Sequence, residues 1–300
     1  MKQALTLISV LILLFSCGKS GEPKSPTVSK VVADTSALRI AVMPTLDCLP
    51  LYLAAEQGFF AEQGVSVGLH PFMAQMDCDT AFIGGSANAI ATDLVRAERL
   101  RRMGKKLVYV ATTEASWQLL SSRSARMKQL KQLDDKMVAM TRFSATDFLS
   151  DLVVDSARLK TERVFRIQVN DVGVRLNMMQ TGNMDAMFLP EPQATEARNL
   201  HAHVMLDTRH LGLRMGVLAV SENVMTDEML KAFGKAYDKA CDSLNEHGLQ
   251  YYRDIIINRC GIREQTVDSL PTDFSFAHLA GPREVEVKRA KGWLDGRGKK

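Results

Sequence analysis

Short apolar runs and helically spaced apolar positions alternate along most of this chain. Residues 38–43 are a nearly unbroken apolar run stopped by Pro44, which reads as a buried strand. A loop covers 45–50, and positions 50–60 then carry apolar residues at helical spacing and close near Gly64. Residues 65–69 alternate as a second strand, 79–83 form a short helix ended by Gly84 and Gly85, and 87–91 form a strand of small residues. A charged amphipathic helix over 93–103 closes at Gly104, and 107–111 is another buried strand. A second series predicts strands at 136–140, 164–169, 186–189, 204–206 and 215–220, with helices at 146–159, 172–180 and 191–200. Ser144 or Thr146 would cap the first of these helices, with Asp147 favourable near its N-terminus. From Thr226 the pattern is helical, with breaks at Gly248, Gly261 and Pro271. Alternating strands and helices imply α/β architecture, mostly parallel sheets with helices on both faces. The absence of a fixed short repeat excludes a solenoid.

The start of the chain follows other rules. Lys2 precedes an apolar run over 4–15, then Ser16 and Cys17. One cation, an apolar core and a small residue before a cut site match a secretory signal. The run is shorter than the roughly 20 residues that span a bilayer. Leu14-Phe15-Ser16-Cys17 resembles the bacterial lipobox. That resemblance implies a leader over 1–16, cleavage before Cys17 and acylation of its thiol by chains such as palmitate. Residues 18–36 are rich in Gly, Ser, Pro and Lys, cannot bury a core, and read with Cys17 as a lipidated tether over 17–36. The body is then expected in the cell envelope, membrane-anchored and facing the periplasm or the cell exterior.

Composition narrows the classes that remain. An apolar content of 46% with 6% aromatics is ordinary for an α/β protein. Loss of Lys2 with the leader takes the formal charge from +4 to +3, and the charges are interspersed, which argues against nucleic acid. The basic stretch 288–300 reads as a solvated end. Beyond the anchor stand Cys48, Cys78, Cys241 and Cys260. Export allows disulfides among them, and the sequence does not choose a pairing. No CxxC or His-bearing zinc spacing occurs, so neither metal nor cofactor is expected. No Ser-His-Asp order or phosphate loop stands out, and the six histidines avoid the predicted cleft loops except His70.

Four segments in order resemble one family. Arg39-Ile-Ala-Val-Met-Pro44, the loop to Pro50 and the run from Leu51 through Gly58-Phe59-Phe60 to Gly64-Val65-Ser66-Val67 are similar to the opening of solute-binding proteins of ABC importers. The group in question serves nitrate, sulfonates, taurine and thiamine-precursor pyrimidines. Phe82-Ile-Gly-Gly-Ser-Ala-Asn-Ala-Ile-Ala91 resembles that family's strand entry, with Asn88 where an Asp is usual. Lys136 to Met140 with the Ser/Thr loop after it, and Met179 through Glu191-Pro192, resemble the second-domain copy. The resemblance runs over most of 38–220. It implies a type II periplasmic-binding-protein fold, two α/β lobes joined by two crossing strands with the ligand between them. Lobe I would be 38–113 plus 216–300, and lobe II 114–215. It also implies a monomer that captures a small molecule and hands it to an ABC permease and ATPase complex, without enzymatic chemistry. An enzyme of cofactor-precursor metabolism on the same fold, or a ligand-sensing lobe for a membrane partner, are the alternatives.

Ligands of such sheets sit beyond the carboxyl ends of strands, often at helix N-termini. On that basis Thr45, Leu46 and Asp47 leave the first strand at the cleft, Asp47 either accepting from a ligand or capping the next helix. Gly85 and Ser86 either approach the ligand or end a helix. Asp93 either faces the cleft or caps a helix. Thr112, Thr113, Ser116 and Trp117 lie at the first crossover, where Trp117 either stacks on a ring or packs the hinge. Arg142, Phe143, Ser144, Thr146 and Asp147 form the second lobe's first loop. Arg142 is the candidate for an anionic ligand group because its fork suits a carboxylate or phosphate. Asn170, Asp171 and Glu191 close the set, each with helix capping or dipole compensation as its other reading. Asp77 and Asp79, at the start of a helix, either cap it and compensate its dipole or oppose a free anion and favour a neutral or cationic ligand. One Arg, several carboxylates and few aromatics around the cleft together favour a small zwitterionic or heterocyclic ligand such as a pyrimidine over nitrate. Cys48 and Cys78 could be a disulfide, a pair of free thiols or, with nearby Asp residues, a metal site, the last disfavoured because no His is close. Cys241 and Cys260 either pair or pack.

Overall fold

The computed structural model describes residues 37–297. The leader 1–16, Cys17 and the rest of the tether lie outside the described residues. In chain order the elements are β1 (Leu38–Val42), α1 (Leu49–Glu56), α2 (Phe59–Glu62), β2 (Val67–Pro71), α3 (Gln75–Gly84), β3 (Ala89–Asp93), α4 (Leu94–Arg102), β4 (Leu107–Thr113) and β5 (Trp117–Ser121). Then follow β6 (Lys136–Met140), α5 (Ala145–Ser156), β7 (Val164–Gln168), α6 (Val172–Thr181), β8 (Ala186–Pro190), α7 (Gln193–Asn199), β9 (His203–Asp207) and β10 (Gly216–Ser221). Four helices finish the described chain: α8 (Asp227–His247), α9 (Arg253–Cys260), α10 (Glu264–Asp268) and α11 (Glu284–Arg297).

The strands form two sheets of five, ordered β2-β1-β3-β10-β4 and β7-β6-β8-β5-β9. In each sheet the fourth strand runs against its neighbours: β10 is antiparallel to β3 and β4, and β5 is antiparallel to β8 and β9. The reason is the crossover. β4 ends at one sheet's rim and, after three intervening residues, the chain enters the other sheet as β5, while β9 returns as β10. Each crossing strand therefore starts where its neighbours end. Gly216 sits beside Asp93 and Thr113, and Trp117 beside Pro190. This brings the carboxyl ends of the parallel strands of both sheets to face one another across the hinge.

Boundaries differ from the sequence reading mainly at hinge and cleft. The crossover at 117–121 is the strand β5, whose second to fifth residues are all buried. Its polar positions Gln118 and Ser121 interrupt the apolar run and mask it. α3 begins four residues before Asp79, and its end at Gly84 with Gly85 in the left-handed region is as expected.

The lobes touch around the space between them. Leu46 N–H donates to Glu191 O (2.9 Å), Gln193 Nε2 to Pro44 O (2.7 Å), and Val172 N–H to Met73 O (3.1 Å). On the other flank the Arg99 guanidinium lies 5.0 Å from the Phe143 ring centroid. α11 packs along α4, where Arg102 reaches Asp295 (2.6 Å), and its far end reaches α5. There Trp293 Nε1 donates to Asp151 (2.7 Å), and Arg297 donates to Asp147 and Asp151 (2.9 Å each). Among the described residues no helix is long and apolar enough to cross a membrane.

Candidate functional site

A cleft of about 560 Å³, counting the part open to solvent, lies between the facing strand ends. The first sheet's side contributes Thr45, Asp47 and Cys48 from the turn after β1, Gln75 from the start of α3, and Thr92 and Asp93 from the end of β3. The second contributes Trp117, Thr141, Ser144 and Thr146 around the start of α5, Val172 and Arg175 from α6, and Pro190 from the end of β8.

The local sequence explains the hydroxyl wall at α5. Ser144 takes extended backbone and caps the helix, its Oγ accepting from Thr146 N–H at 3.1 Å. Ser144 Oγ donates to Thr141 O (2.6 Å) and meets Thr146 Oγ1 at 2.8 Å, while Thr146 Oγ1 accepts from Thr141 N–H (2.9 Å). The hydroxyl of Thr141 is left buried without a partner among the described residues.

The charged groups divide by environment. Asp47 accepts from Thr113 Oγ1 at 3.0 Å, and burial pushes its carboxyl above the ordinary range despite that bond. Asp93 caps α4, accepting from Arg96 N–H at 3.0 Å. Burial pushes the Asp93 carboxyl up to about 6, against the Arg96 charge and the capping bond. Arg96 is fully buried and forks onto Asp79, with Nε 3.2 Å from Oδ1 and Nη2 on Oδ2. Its remaining nitrogen reaches Arg142 O of the other lobe at 3.5 Å. Burial raises the Asp79 carboxyl, and the Arg96 charge partly counters this. Arg175 is buried with its Nη1 on Phe188 O (2.7 Å) and, among the described residues, its Nε without a partner, and burial lowers its guanidinium to about 10.

The structure sorts the residues singled out by sequence. Thr45, Asp47, Asp93, Ser144, Thr146 and Trp117 line the cleft. Thr113 is one step away, holding Asp47. Leu46 is buried behind the turn. Thr112 donates its N–H to Ala280 O (2.6 Å), on the hinge rather than in the cleft. Gly85 and Ser86 lie at the opposite end of the sheet, their carbonyls accepting from the Arg39 guanidinium (3.2 and 3.0 Å). There the glycine ends a helix, as its left-handed backbone requires. Arg142 is exposed and outside the lining, because the loop turns its side chain outward while its carbonyl meets Arg96. Phe143 is also exposed and packs under Arg99. Asn170 accepts from Gln168 Nε2 (3.1 Å) on the surface. Glu191 is buried and fully engaged, accepting from Gln118, Thr195 N–H and Oγ1, and Arg198 at 2.7–3.3 Å. It compensates the start of α7 instead of facing the cleft.

Sequence reasoning passed over Gln75, Thr92, Thr141, Arg96 and Arg175. A signal for Arg175 exists: it falls in the buried stripe Val172, Leu176 and Met179 of α6, one turn past a strand end. Asp79 is engaged by Arg96 and does not stand as a free carboxylate at the cleft. The cysteines Cys48, Cys78, Cys241 and Cys260 are buried and form no disulfide among the described residues. Burial pushes the Cys241 thiol up to about 12 and the other three upward as well. Among the described residues no cluster of His, Cys, Asp and Glu could hold a metal ion.

With this geometry in view, comparison with known proteins bears on lineage. No curated protein sequence matches the chain. Several solved structures share the fold. The ligand-binding component of an ABC-type import system from Staphylococcus aureus, solved with zinc bound, has a TM-score of 0.74 at 13% identity, with 88% of this chain and 92% of that chain covered. The alkanesulfonate-binding protein from Xanthomonas axonopodis pv. citri, bound to MOPS, has a TM-score of 0.72 at 18% identity, covering 87% and 91%. The periplasmic nitrate-binding protein from Synechocystis PCC 6803 has a TM-score of 0.69 at 14% identity, covering 84% and 75%. The architecture is thus the two-lobed periplasmic-binding-protein fold. The model of the family described as NMT1/THI5 like matches residues 45–250, and the chain belongs to that family.

Proposed function

We propose that this protein is the solute-binding component of an ABC importer. It captures a small polar organic molecule between lobe I (38–113 plus 216–300) and lobe II (114–215) and presents it to a permease. The observation that carries this reading is a cleft lined from both sheets by hydroxyls, an amide, carboxylates and one guanidinium, with Trp117 as a flat wall. Such convergent polar groups in a concave site are what ligand capture requires. The solved neighbours, described as import and binding components, support the same role. The chain works by binding and release, without turnover. A lipid on Cys17 and the tether behind it hold the body at the membrane, in the periplasm or on the cell exterior, and raise its effective concentration at a permease.

Native mass spectrometry of the purified protein tests this. One small organic molecule per chain, released unchanged on denaturation, is the expected result, and chemical conversion of that molecule overturns the binding-only reading. In cell fractionation, Cys17→Ser should move the protein out of the membrane fraction. Retention there would remove the anchor from the proposal.

A further inference from the structure

Two donors in the cleft have no acceptor. Thr141 is 2% exposed, and its Oγ1 bonds to nothing among the described residues. Arg175 is 4% exposed and forms no ion pair among the described residues. Its Nη1 is engaged by Phe188 O, and among the described residues its Nε is buried and unpaired and no hydrogen bond reaches Nη2. The guanidinium edge that remains is therefore Nε with Nη2, an edge that matches the two oxygens of a carboxylate. Both residues belong to the same lobe and line the same cleft.

The protein's own carboxylates are committed elsewhere. Asp171 caps α6, its Oδ1 accepting from Val174 N–H at 2.8 Å. Asp79 is forked by Arg96, Asp93 accepts from the Arg96 backbone N–H, and Asp47 accepts from Thr113. A buried cation without an anion is costly, and a neutral ligand carrying only donors would leave the Arg175 guanidinium unsatisfied. We propose that Thr141 and Arg175 form a carboxylate subsite, so that the captured solute is a small organic acid held by its carboxylate against the second lobe. The proposal rests on the solute-binding reading and narrows it. It also reverses the expectation that acidic residues near the start of α3 favour a neutral or cationic ligand.

Formate is the minimal probe. Thermal melting of the purified protein is followed as sodium formate replaces sodium chloride at constant ionic strength, in the wild type and in Arg175→Met, Arg175→Lys and Thr141→Val. The wild type should melt about 2–4 °C higher, saturably, once formate is several-fold above its Kd. Arg175→Met should lose the response, Arg175→Lys most of it for want of the fork, and Thr141→Val part of it. Should Arg175→Met fail to fold, the lysine and valine variants carry the test. No formate response over the chloride baseline, or one unchanged in the variants, overturns the subsite. A neutral or cationic solute retained equally by wild type and Arg175→Met overturns it too, while leaving solute binding intact. A formate response in a protein that retains no organic solute keeps the subsite and removes the carrier reading.

Discussion

Replacing Arg96 by Met removes the charge that holds the two lobes' polar interior together. Arg96 is fully buried and Asp79 is 6% exposed. Arg96 Nε lies 3.2 Å from Asp79, and Nη1 lies 3.5 Å from Arg142 O across the cleft. Methionine fills much of the volume, so the cost is chiefly an uncompensated carboxylate. Breaking a buried pair from one side costs about 3–5 kcal/mol. In a body of this size, where 1 kcal/mol is worth ~2–4 °C, melting should fall by about 6–20 °C. The sign with pH follows from Asp79. Its folded carboxyl is already raised above 3.8 by burial, and losing Arg96 raises it further. A raised carboxyl contributes stability fully below the unfolded value and loses it as pH rises through the folded value. The variant's deficit should therefore shrink as pH falls from 7 toward 4. The double variant Asp79→Leu with Arg96→Met should recover most of the loss, since apolar replacement of both partners is often neutral. Urea unfolding across pH, in all four members of the cycle, measures this. A single-variant loss below about 1 kcal/mol, a deficit that does not shrink in acid, or a double variant no better than the single would refute the reasoning.

Asp93→Asn keeps an acceptor at the cap and removes a carboxyl raised from 3.8 to about 6. Wild-type stability should lose up to ~3 kcal/mol from this group as pH rises from about 4 through 6, and the asparagine variant should lack that slope in pH-dependent urea melts. Gly216→Ala places a Cβ 2.3 Å from Thr113 Oγ1 and 2.5 Å from Ala115 Cβ at the hinge, and should cost about 1–3 kcal/mol. Gly84→Ala meets nothing within 4 Å and should be near neutral, so equal losses would contradict the packing at the hinge. The four body cysteines should resist a thiol reagent in the native protein and all react after unfolding without reductant. Fewer than four would reveal a disulfide.

The α/β alternation, the order of strands and helices and the caps were legible because each is written locally. Apolar runs of strand length, helical spacing, and glycines at 85, 104 and 182 in left-handed conformation are short-range signals. The turn after β1 and the Ser144–Thr146 cap were found at the cleft for the same reason: they follow strand ends. β5 was not legible, because it enters its sheet between two strands far away in sequence, β8 and β9, and carries polar residues there. Arg142 and Arg175 mark the limit most clearly. The first follows a strand directly and points outward, and the second lies a turn into a helix and faces the cleft. Local pattern assigns an arginine to an element and a face. Whether its guanidinium meets a partner depends on which carboxylate arrives from elsewhere in the chain. Asp79 arrived beside Arg96 from another helix, and among the described residues no carboxylate paired with Arg175. Sequence thus determined the elements, the family and the strand ends that make a cleft, while the pairing of buried charges, and with it the chemistry of the cleft, was decided only when distant segments packed together.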